Sequence, residues 1–150
     1  MDTPCPLRVG HCRAKLAKDF SAFQILPFNL HIWSSIVKSY PDIATEISAE
    51  LKKVREGIPD VSQAFSGLAK AAMKKGALDS KTKELIAFAI GVASRCDGCL
   101  AFHAEALVKL GASREEVLET LGVAVYMGGG PSLMYAAHGI QAFDQFLEKK

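Results

Sequence analysis

The sequence lacks any run of eighteen or more uninterrupted apolar residues, the length a membrane-spanning helix needs, so no membrane partner is expected. It has no long basic run, and 18 Lys plus Arg against 16 Asp plus Glu leave a net charge of +2, too little to argue for nucleic acid. No stretch alternates apolar and polar residues over a strand's length. No Asn-Gly or Asp-Gly turn joins two β-branched runs, and the one Asp-Gly, Asp97-Gly98, is flanked by cysteines. Internal repeats and low-complexity tracts are also absent. Four cysteines in 150 residues are too few for a disulfide-dense secreted scaffold. A chain of this length buries roughly 68% of its extended surface on folding, enough for a core without disulfide staples.

What is present divides unevenly. Residues 1–31 hold Arg8, Arg13, Lys15 and Lys18 against Asp2 and Asp19, together with Cys5 and Cys12, and Pro4, Pro6, Gly10 and Pro27 interrupt any helical period. They read as an extension, disordered or targeting. A secretory signal fits poorly, because Gln24, Pro27, Asn29 and His31 break the apolar stretch and no small-x-small cleavage site follows. Residues 32–150 are charge-neutral and form the expected helical domain.

From Tyr40-Pro41 onward the chain reads as helix after helix. Ile43, Ile47, Leu51 and Val54, spaced 4, 4 and 3, share one face between Asp42 as N-cap and Gly57 as stop. Ile58-Pro59-Asp60 opens a second helix with Val61, Phe65, Leu68, Ala72 and Met73 as its stripe and Gly76 as its close. Asp79 or Ser80 caps a third, almost wholly apolar from Leu85 to Ala93, and a helix apolar all round is a buried one. A fourth runs from about Asp97 to Leu110 and ends at Gly111. Ser113-Arg114-Glu115-Glu116 is a capping box for a fifth, which turns Val117, Leu121 and Ala124 inward. Met127-Gly128-Gly129-Gly130-Pro131 then breaks the chain before a last helix from about Ser132 to Leu147. The expected fold is all-α, a compact domain of about six helices.

Chemistry concentrates in Arg95-Cys96-Asp97-Gly98-Cys99-Leu100-Ala101-Phe102-His103. Residues three and four apart on a helix are neighbours about 5 to 6 Å apart, within the Cα range a disulfide tolerates, so Cys96 and Cys99 can bond and His103 stacks beside Cys99. Cys96 lies at the helix start, where free N–H groups favour a thiolate. A thiol of pKa about 8.5 is only about 3% ionised at pH 7; half-ionisation needs roughly 2 kcal/mol, of which a helix end supplies about 0.3 to 1. A nearby base has to supply the rest. Glu84, twelve residues before Cys96, is the candidate, with His103. Each also has a plainer explanation: Glu84 as a favourable charge in a helix's first turn, His103 as a satisfied core residue. The dithiol favours the chemical one, because in a reducing, cytoplasmic setting such a pair has few structural uses.

Other assignments fit less well. Haem attachment needs His directly after the second Cys, where Leu100 stands. Zinc could take Cys96, Cys99 and His103 with His138 or Glu84, but structural zinc sites usually join two knuckles and there is no second Cys-x-x-Cys. A thioredoxin fold needs a βαβ context. The glycine run lacks a preceding strand and a following Lys, so it is no phosphate loop but a tight interhelical passage. His138 reads as structural, and Tyr126, Met127, Met134 and Tyr135 as lining a core or a subunit contact.

Lys83-Glu84-Leu85-Ile86-Ala87, Cys96-x-x-Cys99-x-x-x-His103, Gly128-Gly129-Gly130-Pro131 and Ala142-Phe143-Asp144 resemble the alkyl hydroperoxidase D-like branch of the carboxymuconolactone decarboxylase family, over roughly residues 33–147. The resemblance implies an all-helical homo-trimer or hexamer and a thiol-dependent peroxidase with an antioxidant role. It implies Cys99 as peroxidatic thiol, Cys96 as resolving thiol, and Glu84 with His103 as the proton relay. Hydroperoxide and a thiol or dithiol reductant would be its partners; no cofactor or resident metal is expected. The helix-dipole argument alone would have chosen Cys96 as the nucleophile, so the division of roles rests on the resemblance. The branch's founding pattern has a His between the cysteines, where Asp97-Gly98 stands here, and a second related half, so its lipoylated reductant does not carry over. The alternatives are a disulfide-exchange or redox-sensing adaptor and, less fittingly because the decarboxylase branch lacks the cysteine pair, a lactone decarboxylase.

Overall fold

A computed structural model describes residues 38–150; the extension expected over residues 1–31, with Cys5 and Cys12, lies outside them. The described residues form helices and no strand: α1 Tyr40–Gly57, α2 Pro59–Met73, α3 Ser80–Ala93, α4 Asp97–Lys109 and α5 Arg114–Glu148. The all-α expectation holds. None of these helices is long and apolar enough to cross a membrane.

Helix starts follow the capping side chains. Asp79 accepts from the Thr82 amide at 2.7 Å to open α3. Ser113 and Glu116 form the expected capping box of α5, and the second oxygen of Glu116 takes the Lys81 ammonium at 2.6 Å, which ties the start of α5 to that of α3. Two ends differ from expectation. α1 begins earlier, with Ser39 rather than Asp42 as its cap, because Pro41 needs no hydrogen-bond partner in a first turn and brings a preset φ. α2 stops at Met73, ahead of Gly76. There the Lys83 ammonium donates to the Ala72 and Lys74 carbonyls at 2.7 and 2.6 Å, a cation at the negative end of the helix.

α5 is 35 residues long and, if straight, would extend roughly 50 Å. Instead it folds back on itself. Gly129 takes φ 66° and ψ −155°, a region open essentially to glycine, and a Cβ at Gly128 would run into the Ser132 side chain. The Arg114 guanidinium consequently meets the Asp144 carboxylate through two bonds of 2.9 and 3.1 Å, although thirty residues separate them. Gly139 on the second arm lies so close to the first that a Cβ there would stand 3.0 Å from Leu121. The break expected at the glycine run is therefore a hairpin, and its two arms with α1–α4 make up the expected six helices.

The core lies between α3, α4 and the arms of α5, with the start of α1 closing one end. Tyr40, Phe88, Leu100, Leu107, Val117 and Phe143 are fully buried. Each such side chain contributes on the order of 1.5 to 3 kcal/mol of transfer free energy. α4 is central: it buries Leu100, Ala101, Ala104, Leu107 and Val108, and its alanines let the neighbouring helices approach closely. Val117, Leu121 and Ala124 point inward as expected.

Two burial expectations fail within the single chain. α3 buries Phe88, Gly91 and Val92, but Ile90 is 61% exposed and Ile86 stands beside it on the uncovered face. The stripe of α2 is formed yet uncovered among the described residues: no residue of that helix is buried and Phe65 is 69% exposed. Of the four residues expected to line a core or a subunit contact, Tyr126, Met127 and Met134 are exposed, which excludes the core for them, and Tyr135 is half-buried. A hydrophobic period orients a face, and whether anything covers that face is decided elsewhere.

Gly129→Ala should destabilise the protein by about 1 to 3 kcal/mol, since alanine must occupy a glycine-only backbone region. Gly122→Ala, in a helical stretch with open space around it, should be neutral or stabilise by up to about 1 kcal/mol. Urea unfolding of the two variants checks the contrast.

Candidate active site

The site is set by how α3 hands over to α4. After Ala93 the Arg95 amide donates back to the Val92 carbonyl at 3.1 Å and the Cys96 amide to the Gly91 carbonyl at 3.0 Å, the paired bonds of a Schellman helix end. Arg95 carries the left-handed turn at φ 56°, a conformation glycine usually supplies. Cys96 is at once the residue beyond this cap and the N-cap of α4, its Sγ accepting from the Cys99 amide at 3.2 Å. The chain thus reverses within three residues, and α4 runs back along α3.

That reversal assembles the residues singled out from the sequence. Cys96 and Cys99 form a disulfide, with Cα atoms 5.2 Å apart. Glu84, near the start of α3, meets His103, nearly two turns into α4: Oε2 and Nδ1 are 2.7 Å apart across nineteen residues of sequence. The carboxylate is well covered, at 15% side-chain exposure, and the imidazole half-buried at 31%. An ionised Glu84 requires the proton on Nδ1, which leaves Nε2 as an acceptor. His103 also lies one helical turn beyond Cys99 on the same helix, so the imidazole and that sulfur share a face. The structure brings the four predicted site residues together in two pairs, Cys96 with Cys99 and Glu84 with His103; Glu84 lies beyond the first turn of α3, so it is not a first-turn charge.

His138 is not part of this group. Its ring meets the Tyr135 ring edge-on, 5.2 Å between centroids and 61° between planes. Among the described residues no group of three or more His, Cys, Asp and Glu side chains is arranged to hold a metal ion.

The structure adds residues that sequence reasoning missed. Gly91 is buried where α3 crosses the pair, and a Cβ there would stand 3.2 Å from Cys99 Cβ. A glycine inside an apolar helix costs about 1 kcal/mol against alanine, and that cost is the signal that could have found it. Asp97, between the cysteines, accepts from the Lys38 ammonium at 2.8 Å, the Tyr135 hydroxyl at 3.1 Å and the Tyr40 hydroxyl at 3.5 Å. Burial pushes the Asp97 carboxyl up, but the hydrogen bonds from Lys38 and Tyr135 and the charges of Lys38 and His138 outweigh it and hold the group below its usual range. Burial first, and the Asp97 charge second, push the Tyr40 hydroxyl far above its ordinary value, so it stays a donor. No local pattern could have linked Asp97 to partners 57 and 38 residues away.

Comparison with known proteins agrees with this fold. A protein from Cupriavidus necator is 39% identical over 100 residues, which cover 67% of this chain and 88% of that protein. The crystal structure of an apo carboxymuconolactone decarboxylase family protein from Legionella pneumophila is 57% identical, with a TM-score of 0.70 over 72% of this chain and 96% of that one. A family member from Thermotoga maritima, with a suggested involvement in antioxidative response, is 30% identical, with a TM-score of 0.64 over 70% of this chain and 90% of that one. Residues 59–142 match the profile of the carboxymuconolactone decarboxylase family, and with that match over more than half its length the chain belongs to this family.

Proposed function

We propose that the protein is a thiol-dependent hydroperoxide reductase of the alkyl hydroperoxidase D-like branch, cycling Cys96 and Cys99 between dithiol and disulfide. The observation that carries the proposal is the pairing of that disulfide with the Glu84–His103 hydrogen bond on the same two helices. The Thermotoga relative with a suggested antioxidative involvement points the same way.

In the reduced protein, the His103 imidazole, held in its tautomer by Glu84, takes the Cys99 thiol proton, directly or through a water. The thiolate attacks the outer peroxide oxygen, the O–O bond breaks, and the alkoxide leaves as the alcohol with the proton returned by the relay. Cys99 is then a sulfenic acid. The Cys96 sulfur attacks it, water leaves carrying the sulfenic oxygen and two protons, and the disulfide closes. Two electrons from a thiol or dithiol in a reducing compartment, the cytoplasm, restore the pair. Cys96 and Cys99 are both half-buried rather than sealed off, which leaves them accessible to a reductant. The same exposure favours, as a second reading, a disulfide-exchange adaptor that reacts with protein disulfides in place of peroxide.

The uncovered apolar faces favour a homo-trimer or hexamer. Ile86, Ile90, Val123 and Met127 form one apolar surface across α3 and the first arm of α5, and α2 leaves Val61, Phe65 and Leu68 exposed. Monomers rarely leave so much apolar surface contiguous.

Cys99→Ser should abolish hydroperoxide turnover with a thiol reductant, and full activity in that variant would sink the proposal. Glu84→Gln should retain the disulfide but lower peroxide turnover by about a hundredfold or more, the scale of a lost acid–base relay. In stopped flow, a fast peroxide-dependent change in the reduced protein marks the peroxidase, and reaction only with a protein disulfide marks the adaptor. Light scattering should give an oligomer for the native chain and a smaller species for Ile90→Asp.

A further inference from the structure

Asp97 sits between the two cysteines, yet the Glu84–His103 relay makes no use of it. It is the first residue of α4, and other parts of the chain hold its carboxylate. Lys38, just ahead of α1, and Tyr40, its first residue, reach it from one side, and Tyr135 from the second arm of α5. The Lys38 ammonium also lies 5.8 Å from the centre of the Tyr135 ring. These anchors are themselves fixed. The Gln145 side chain accepts from the Tyr40 amide at 2.8 Å and donates to the Lys38 carbonyl at 2.9 Å, and Gln141 donates to that carbonyl at 3.2 Å. α1 closes over the same turn through Ile47, whose Cδ1 lies 2.9 Å from where a Cβ of Gly98 would be.

The turn so clamped is the one that bears the disulfide. A helix's first turn has no intrahelical partner for its amides and frays readily once a covalent tether is removed. Reduction removes the tether between Cys96 and Cys99. The carboxylate latch makes no use of either sulfur, so it persists in the dithiol and keeps the two Cα atoms near their bonded spacing of 5.2 Å. Two groups held in place react with each other at a higher effective concentration than two groups that must first be ordered. Lys38, beside the carboxylate at 2.8 Å, also offsets its negative charge.

We propose that Asp97, latched by Lys38, Tyr40 and Tyr135, is a positioning residue that holds the Cys96–Cys99 turn in its bonded geometry and makes the disulfide harder to reduce. The inference rests on the redox cycle proposed above.

The test is equilibration of the full chain in glutathione buffers: protein disulfide plus two glutathione thiols gives protein dithiol plus glutathione disulfide. Two electrons pass from the glutathione sulfurs to the Cys96–Cys99 bond, and the two glutathione protons end on the cysteines. Alkylation and mass spectrometry read the ratio. Tyr135→Phe, Lys38→Met and Asp97→Asn should each lower the effective concentration of the pair by about three- to tenfold, raising its reduction potential by about 15 to 30 mV. Lys53→Met, remote on α1, should leave it unchanged. If Asp97→Asn fails to fold, the two milder variants still decide. Variants that lose thermal stability but keep the native potential overturn the latch and leave the redox cycle standing. A native pair that does not exchange with glutathione at all overturns both.

Discussion

Between Ala93 and Asp97 the backbone must end one helix, reverse and begin another, and every element of the site depends on how it does so. The Arg95 and Cys96 amides satisfy the last carbonyls of α3, and the Cys96 sulfur satisfies a free amide of α4. A looser connection would let α4 diverge from α3, and Glu84 would then face solvent in place of His103. The reversal is tight at the expense of a left-handed Arg95, strain of the kind that persists only where surrounding packing enforces it. Here the enforcement comes from Phe88, Val92 and Leu100, all fully buried on either side of the turn.

The cysteines therefore sit at a mechanically defined point. Cys99 faces the buried glycine of α3, Cys96 ends one helix and starts the next, and Asp97 between them is held by α1 and by the second arm of α5. The two side-chain groups around the pair are distinct. Glu84 and His103 pair across α3 and α4, while Lys38, Tyr40 and Tyr135 meet the carboxylate of Asp97. None of those anchors involves either sulfur.

The exposed faces carry a related lesson about apolar patterning. α2 has an apolar stripe and α3 is apolar nearly all round, yet only one side of α3 meets the core. Within one chain the first arm of α5 packs against α3 on its inner side and leaves Val123 and Tyr126 outside. Transfer free energy favours covering such a surface.

Much of this was legible in the sequence because it is local. Helix starts at Asp79 and Ser113, the break at Gly128-Gly129-Gly130-Pro131 and the disulfide-competent spacing of Cys96 and Cys99 all depend on residues within a few positions of one another, where capping and helical geometry act. The inward turn of Val117, Leu121 and Ala124 follows from the helical period alone. The rest depended on chain segments brought together by packing. The Glu84–His103 bond forms only because α4 folds back along α3, and Asp97 became an anchor point only when the hairpin of α5 delivered Tyr135 to it. Ile90 and Phe65 were apolar in the sequence and exposed in the fold, since a stripe specifies a direction and tertiary structure supplies, or withholds, what lies in that direction.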